Sequence, residues 1–294
     1  MSISIPLYAH LIMSPQVIAI VLFAALLHAG WNFLVKRSDD AYQGMCAVVL
    51  GRVPYGLAVL LVSPSVPASS YFYVVIGALL HVGYQLFLQH SYRFGDLSQV
   101  YPMARGSAPL IVALASVAFL DVSYDVFQVS ALALIATGLM GLAWRGFYPG
   151  AENRYRAAIL AVAAGIFIAS YTMIDGLGAR IAGTALGYYG SVTVLNALIY
   201  AVTMNRLRPG LVRRTIIHHW PQSLASGGAS FSAYALVVWA FTREPIALVA
   251  SLRETSILFS LLLGVIFLNE RLSLVKTLAI VSTMTGVVLL RLGG

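Results

Sequence analysis

Charge is scarce in this chain, and acidic charge is scarcest. Only 10% of the 294 residues are charged, ten acidic against eighteen basic, for a net charge of +8. An ordinary soluble domain carries roughly 25% charged residues. Apolar residues fill 60% of the positions, so composition alone points to a membrane. Thiols are nearly missing too: the one cysteine, Cys46, excludes an internal disulfide and any cysteine-rich metal site. There is no GxxxxGK[ST] loop, which argues against pumping driven directly by ATP, and no HExxH or GxSxG to suggest a common hydrolase. Long polar stretches are also absent. The longest connections, about 145 to 156 and 205 to 218, leave no room for a soluble catalytic or nucleic-acid-binding domain. The positive charge is therefore no nucleic-acid footprint. It sits mostly in those connections, as Arg145, Arg154, Arg156, Arg206, Arg208, Arg213 and Arg214, where it reads as topology signal and lipid-headgroup contact. The first 15 residues lack a basic leader region, so the first helix is expected to stay.

What the chain does have is a series of apolar runs, each of about 20 residues and long enough to cross a hydrocarbon layer of roughly 30 Å as a helix. Ten are legible, at about 16 to 37, 42 to 62, 70 to 91, 98 to 118, 126 to 144, 157 to 178, 184 to 204, 219 to 241, 246 to 267 and 275 to 291. Two stretches can be superposed without a gap. Tyr92 to Leu142 falls on Ala240 to Leu290, an offset of 148, which puts Arg105 on Arg253, Phe119-Leu120 on Phe267-Leu268, and Thr137-Gly138 on Thr285-Gly286. The chain thus reads as a duplication: a tail at 1–15, a first five-helix repeat at 16–146, a linker at 147–156 and a second repeat at 157–294. An odd number of spans per unit makes the two repeats enter the membrane from opposite sides. The expected fold is an all-α integral membrane protein of ten transmembrane helices in two inverted repeats, with a site at their seam. Gly183-x-x-x-Gly187 offers a small-residue pattern for close helix approach.

The search for that site begins with groups that hydrocarbon rejects. Arg52, Arg105 and Arg253 fall inside predicted spans, where an arginine costs about 2.5 to 3.5 kcal/mol on insertion scales. They should face the interior. Pro109 follows Arg105 by four residues, so it removes the helix bond to the Arg105 carbonyl and is expected to kink the helix there. The second copy has Ile257 at that place. For Arg253 the adjacent Glu254 is a ready partner, and either arginine has a purely structural alternative in a carboxylate or a carbonyl.

Polar and aromatic residues also recur on single helix faces. His28, Trp31, Asn32 and Lys36 share one face of the first span; His81, Tyr84 and Gln85 repeat the spacing in the third, and Tyr171 and Asp175 in the sixth. Tyr189, Thr193, Asn196 and Tyr200 line the seventh, and Ser230 with Tyr234 the eighth. Each stripe on its own has a structural explanation, since interhelical hydrogen bonds in membranes contribute about 0.6 kcal/mol on average. Five stripes together point to a polar cavity. Trp144, Trp220, Tyr71, Tyr73 and Tyr148 lie near span ends and read as interfacial belt residues.

Phe267-Leu268-Asn269-Glu270-Arg271-Leu272, followed by a span with Thr285-Gly286, resembles the end of an EamA domain of the drug/metabolite transporter superfamily. Phe119-Leu120-Asp121 with Thr137-Gly138 is similar to a degenerate twin, and His28-Ala29-Gly30-Trp31-Asn32 is similar to a pattern seen in many members. The resemblance implies the ten-span layout, a multi-pass protein of the bacterial inner membrane, and movement, expected to be export, of a small molecule.

The side chains themselves narrow the substrate. Arg105, with Arg52 or Arg253, suits a carboxylate or phosphonate held in a bidentate way; Asp175 or Glu254 suits an amine; Trp31, Tyr84, Tyr171 and Tyr234 suit an apolar or cationic part. The expected substrate-binding set is Arg105, His28, Trp31, Asn32, His81, Tyr84, Gln85, Tyr171, Tyr234 and Arg253, for a small zwitterionic or anionic metabolite such as an amino acid. An exporter of aromatic or cationic drug-like compounds is the alternative. An intramembrane enzyme and a structural or receptor-like role are more remote. Proton coupling would fall to His28, His81, Asp175 or Glu254, because intramembrane ionisable groups often form relays. No cofactor, metal or nucleic acid is expected, and the chain is expected to act as a monomer or weak homodimer. Basic residues outside the spans divide unevenly: Arg180, Arg243 and Arg291 on the side of the termini, and Lys36, Arg37, Arg93, Arg145, Arg154, Arg156, Arg206, Arg208, Arg213, Arg214, Arg271 and Lys276 on the other. By the positive-inside rule both termini lie outside the cytoplasm, against the arrangement usual in the family.

Overall fold

The computed structural model describes residues 13–36, 40–91, 93–94, 97–120, 122–145, 154–268 and 274–292. Every regular element among them is helical: α1 (Pro15–Lys36), α2 (Ala41–Gly51), α3 (Val53–Val62), a 3₁₀ turn (Ala68–Ser70), α4 (Tyr71–Ser91), α5 (Leu97–Leu120), α6 (Val126–Arg145), α7 (Arg154–Ala182), α8 (Ala185–Leu207), α9 (Leu211–His218), α10 (Trp220–Phe241), α11 (Ile246–Arg253), α12 (Ser256–Leu268) and α13 (Leu274–Leu292). Seven helical stretches are long and apolar enough to cross a membrane, and shorter apolar helices run over Val126–Gly138 and Thr277–Leu289. The surface carries large apolar side chains, among them Leu61, Phe72, Leu114, Phe119 and Leu198, while arginines and carboxylates are buried. That inverts the distribution expected in water.

Three departures from the sequence expectation have local causes. The predicted second span is two helices, α2 and α3, broken at Arg52. Pro54 cannot donate to the Leu50 carbonyl four residues back, whereas the Arg52 N–H keeps the regular helix bond to the Val48 carbonyl at 3.2 Å. The predicted ninth span is likewise two helices, α11 and α12, parted at Glu254 and Thr255. Their N–H groups reach the Ser251 and Leu252 carbonyls, three residues back, at 3.1 and 3.2 Å. The loop at 205–218 holds a short helix, α9, entered through Gly210 at φ +87°. α5 runs as one helix from Leu97 to Leu120 through Pro109. Gly183 is not part of a helix-packing pattern: it sits at φ +67° in the turn between α7 and α8, a conformation that suits glycine. Asn269–Leu272, Asp121, Gly95-Asp96, Pro149-Gly150, Tyr148 and the side chains of Lys36 and Trp144 lie outside the described residues.

Packing repeats itself. α4 lies on α7 as α1 lies on α10; α4 meets α8 as α10 meets α2; α5 lies on α7 as α1 lies on α11 and α12. Where α2 crosses α10 there is no room for side chains. A Cβ on Gly51 would run into the Ser223 backbone, and one on Gly227 into the backbone of Gly51 and Arg52.

Candidate functional site

Two buried polar clusters meet in the middle of this packing. The first forms where α5, α11 and α1 come together. Arg105 donates to Glu254 twice, Nε to Oε2 at 2.6 Å and Nη2 to Oε1 at 3.1 Å. Arg253 donates to Glu254 Oε1 from Nε and Nη2 at 3.1 and 2.9 Å. One carboxylate thus serves both arginines, which align in sequence, and all three groups are buried. Arg105 Nη1 also meets His28 Nε2. A guanidinium only donates, so His28 Nε2 is the acceptor in that contact. The His28 ring lies edge-on to Trp31, with centroids 4.9 Å apart. Asn32 donates back to the His28 carbonyl at 2.7 Å.

The second cluster is centred on Asp175 of α7. Its Oδ2 is 2.8 Å from His81 Nε2 and accepts from the Tyr234 hydroxyl at 2.9 Å. Its Oδ1 accepts from the Tyr188 hydroxyl at 3.1 Å. Glycine at position 77 makes this possible, since a Cβ there would lie 2.8 Å from Asp175 Oδ1. Around the dyad stands an aromatic wall. Tyr171 stacks on His81 at 4.0 Å, Tyr84 and Tyr234 stand edge-on to Tyr171 at 5.7 and 5.8 Å, and Tyr189 lies 5.1 Å from Tyr234. Arg253 joins the clusters, its guanidinium carbon 5.7 Å from the Tyr234 ring centre, a cation–π contact.

The residues expected at a site from sequence therefore divide. His28, Trp31, Arg105, Arg253 and Glu254 share the first cluster, and His81, Tyr84, Tyr171, Asp175 and Tyr234 the second. Gln85 is joined to Asn196 of α8 by a reciprocal amide pair at 3.1 and 3.2 Å, which ties α4 to α8. Tyr200 similarly donates to Gln89 at 3.0 Å. Two participants were not foreseen. Tyr188 faces away from the stripe read on its helix, and Arg180 caps the end of α10, donating to the Phe241 and Glu244 carbonyls at 2.7 and 2.9 Å.

Buried polar atoms without a partner among the described residues include the acceptors Gln43 Oε1 and Asp125 Oδ2, which are not in the two clusters, and a set of donors near those clusters. Trp31 Nε1, Arg52 Nε and Arg253 Nη1 have no hydrogen-bond partner among the described residues, and neither do the hydroxyls of Tyr189 and Thr193. The three nitrogens can only donate. The inner polar region needs acceptors.

A groove of about 420 Å³ between α8 and α9 contains Asn205 and Arg213 but none of these residues. No protein of curated function matches the chain. A crystal structure of a protein superposes with a TM-score of 0.71, covering 93% of this chain and 97% of the other at 16% sequence identity, a likeness of fold. The sequence profile of the EamA-like transporter family matches residues 155–292. That match, over residues 155–292, supports reading the chain as an EamA-type transporter of the drug/metabolite transporter superfamily.

Proposed function

We propose that this protein moves a small anionic or zwitterionic metabolite outward across the bacterial inner membrane, by alternating access between two inverted five-helix repeats at 16–146 and 157–294. The carrying observation is the set of orphaned donors, Trp31 Nε1, Arg52 Nε and Arg253 Nη1. Each costs free energy while buried and unmatched, and an acceptor-rich anion matches them. Charge supports the same reading: three buried arginines, Arg52, Arg105 and Arg253, stand against the carboxylates of Asp175 and Glu254 in this region. The paired packing of α4·α7 with α1·α10, and of α4·α8 with α10·α2, is what two inverted copies of one unit produce. An aromatic wall of Tyr84, Tyr171 and Tyr234 suits the rest of the molecule.

His81 and Asp175 are the coupling pair in this reading, because a buried histidine in contact with a carboxylate can hold or release a proton as the helices move. The positive-inside count puts both termini outside the cytoplasm. A cytoplasm-only fluorescent reporter fused after Gly294 should stay dark, and a periplasm-only reporter should be active; the reverse pattern overturns the orientation.

Transport itself is tested with purified protein in liposomes loaded with a labelled metabolite mixture, with and without a pH gradient. Anionic or zwitterionic components should cross faster than in empty liposomes. Movement of aromatic cations alone would favour the drug-exporter alternative, and chemical conversion without movement would favour an enzyme.

A further inference from the structure

The unmatched donors do not lie in one place. Arg253 Nη1 and Trp31 Nε1 belong to the cluster where α5, α11 and α1 meet. Arg52 stands on another element, in the break between α2 and α3. It is 8% exposed, and it lies with Thr193 beside the Tyr189 hydroxyl. The Tyr189 hydroxyl is within hydrogen-bonding reach of Thr193 and Arg52, but Arg52 Nε, Tyr189 Oη and Thr193 Oγ1 reach no group in the geometry of a made hydrogen bond among the described residues. Between the poles stand two rings: Tyr189 is 5.1 Å from Tyr234, and Tyr234 is 5.7 Å from the Arg253 guanidinium. Glu254 already answers Arg105 and Arg253. No described carboxylate hydrogen-bonds or ion-pairs with Arg52, and an isolated guanidinium in a membrane interior is costly.

We propose that Arg52, Tyr189 and Thr193 form a second anion subsite, so that the substrate carries an acidic group at each end, one held by Arg52 and the other at Arg253 and Trp31. This rests on the anion reading above and narrows it to molecules with two separated acidic groups, of the dicarboxylate kind. The hydroxyls of Tyr189 and Thr193 supply donors beside the charge, which suits a carboxylate with several lone pairs to satisfy. The rings of Tyr189 and Tyr234 flank the carbon chain between the ends.

Ligand binding to the folded state raises its thermal stability, so the full chain in detergent can be titrated with simple probes and its unfolding followed. Pentanoate and glutarate, and hexanoate and adipate, have equal lengths but one or two acidic ends; methylphosphonate concentrates its charge at one end. At least one dicarboxylate should half-saturate at about a tenfold lower concentration than its monoacid and than methylphosphonate, the scale of one charge-assisted hydrogen-bonding site. In Arg52→Gln that ratio should collapse toward one, while Arg52→Lys should retain part of it. Equal effects of mono- and dicarboxylates on the wild type would overturn the proposal and leave the anion reading standing. So would an undiminished preference in Arg52→Gln. If that variant is not recovered folded, the wild-type series and Arg52→Lys decide. No stabilisation by any of these anions would overturn the anion reading itself.

Discussion

The fourth and ninth predicted spans align in sequence without a gap, and the chain treats them differently. Arg105 and Arg253 occupy the same place in the repeat, but Arg105 is followed by Gly106 and Pro109 where Arg253 is followed by Glu254 and Ile257. The copy with the proline stays a single helix, α5; the copy without it breaks into α11 and α12. The proline's missing N–H is therefore not what parts a helix here. The break coincides with the one carboxylate that must reach an arginine on each repeat, since Glu254 receives donors from Arg105 and Arg253 alike. At that aligned position the two stretches differ, Gly106 against Glu254, and only the second supplies a carboxylate to the interior.

Removing that carboxylate should have the largest effect. Glu254→Gln leaves two buried guanidiniums facing each other, and breaking a buried pair costs about 3 to 5 kcal/mol. A large drop in detergent melting temperature is expected; wild-type stability would mean that the arginines are held by other groups. Arg105→Gln is the complementary cut. Glu254 keeps its bonds to Arg253, so the protein should melt closer to wild type than Glu254→Gln does while transport is abolished. Normal transport would remove Arg105 from the site.

The histidines divide between the clusters, and their replacement sharpens the contrast. His81→Gln should flatten the dependence of transport on an imposed pH gradient, because it removes the buried partner of Asp175. His28→Gln, beside Arg105 rather than a carboxylate, should do so less. Equal flattening, or none in either, would remove His81 and Asp175 from coupling. The smallest effect is expected at Pro109. Pro109→Ala returns an N–H to the helix opposite the Arg105 carbonyl, so the melting temperature should hold or rise by a few degrees, on the order of 1 kcal/mol for a gained hydrogen bond. A clear loss of stability would show that α5 depends on the proline.

Much of this interior is legible in the sequence because it is local. Trp31, His81, Tyr171, Asp175 and Tyr234 fall on helix faces by spacing alone, and hydrocarbon leaves polar side chains nowhere to go but inward. All five are buried. What spacing does not carry is which stripes meet. The bond from Arg105 to Glu254 spans 149 positions, and Tyr188 turns toward Asp175 from outside the stripe read on its helix. The break at Arg52 was foreshadowed by Pro54, whose missing N–H bears on α2. The break at Glu254 has no such local mark; only aligning the copies, with glutamate opposite Gly106, draws attention to it.

The edge-on contact between His28 and Trp31, 4.9 Å between centroids, makes light a reporter on this interior. A protonated imidazole against an indole quenches its emission, whereas a neutral one does so far less. The chain holds four tryptophans, and replacing Trp144, Trp220 and Trp239 with phenylalanine leaves Trp31 as the sole emitter. Its brightness then records, in real time and without an added dye, changes in the contact between the His28 and Trp31 rings.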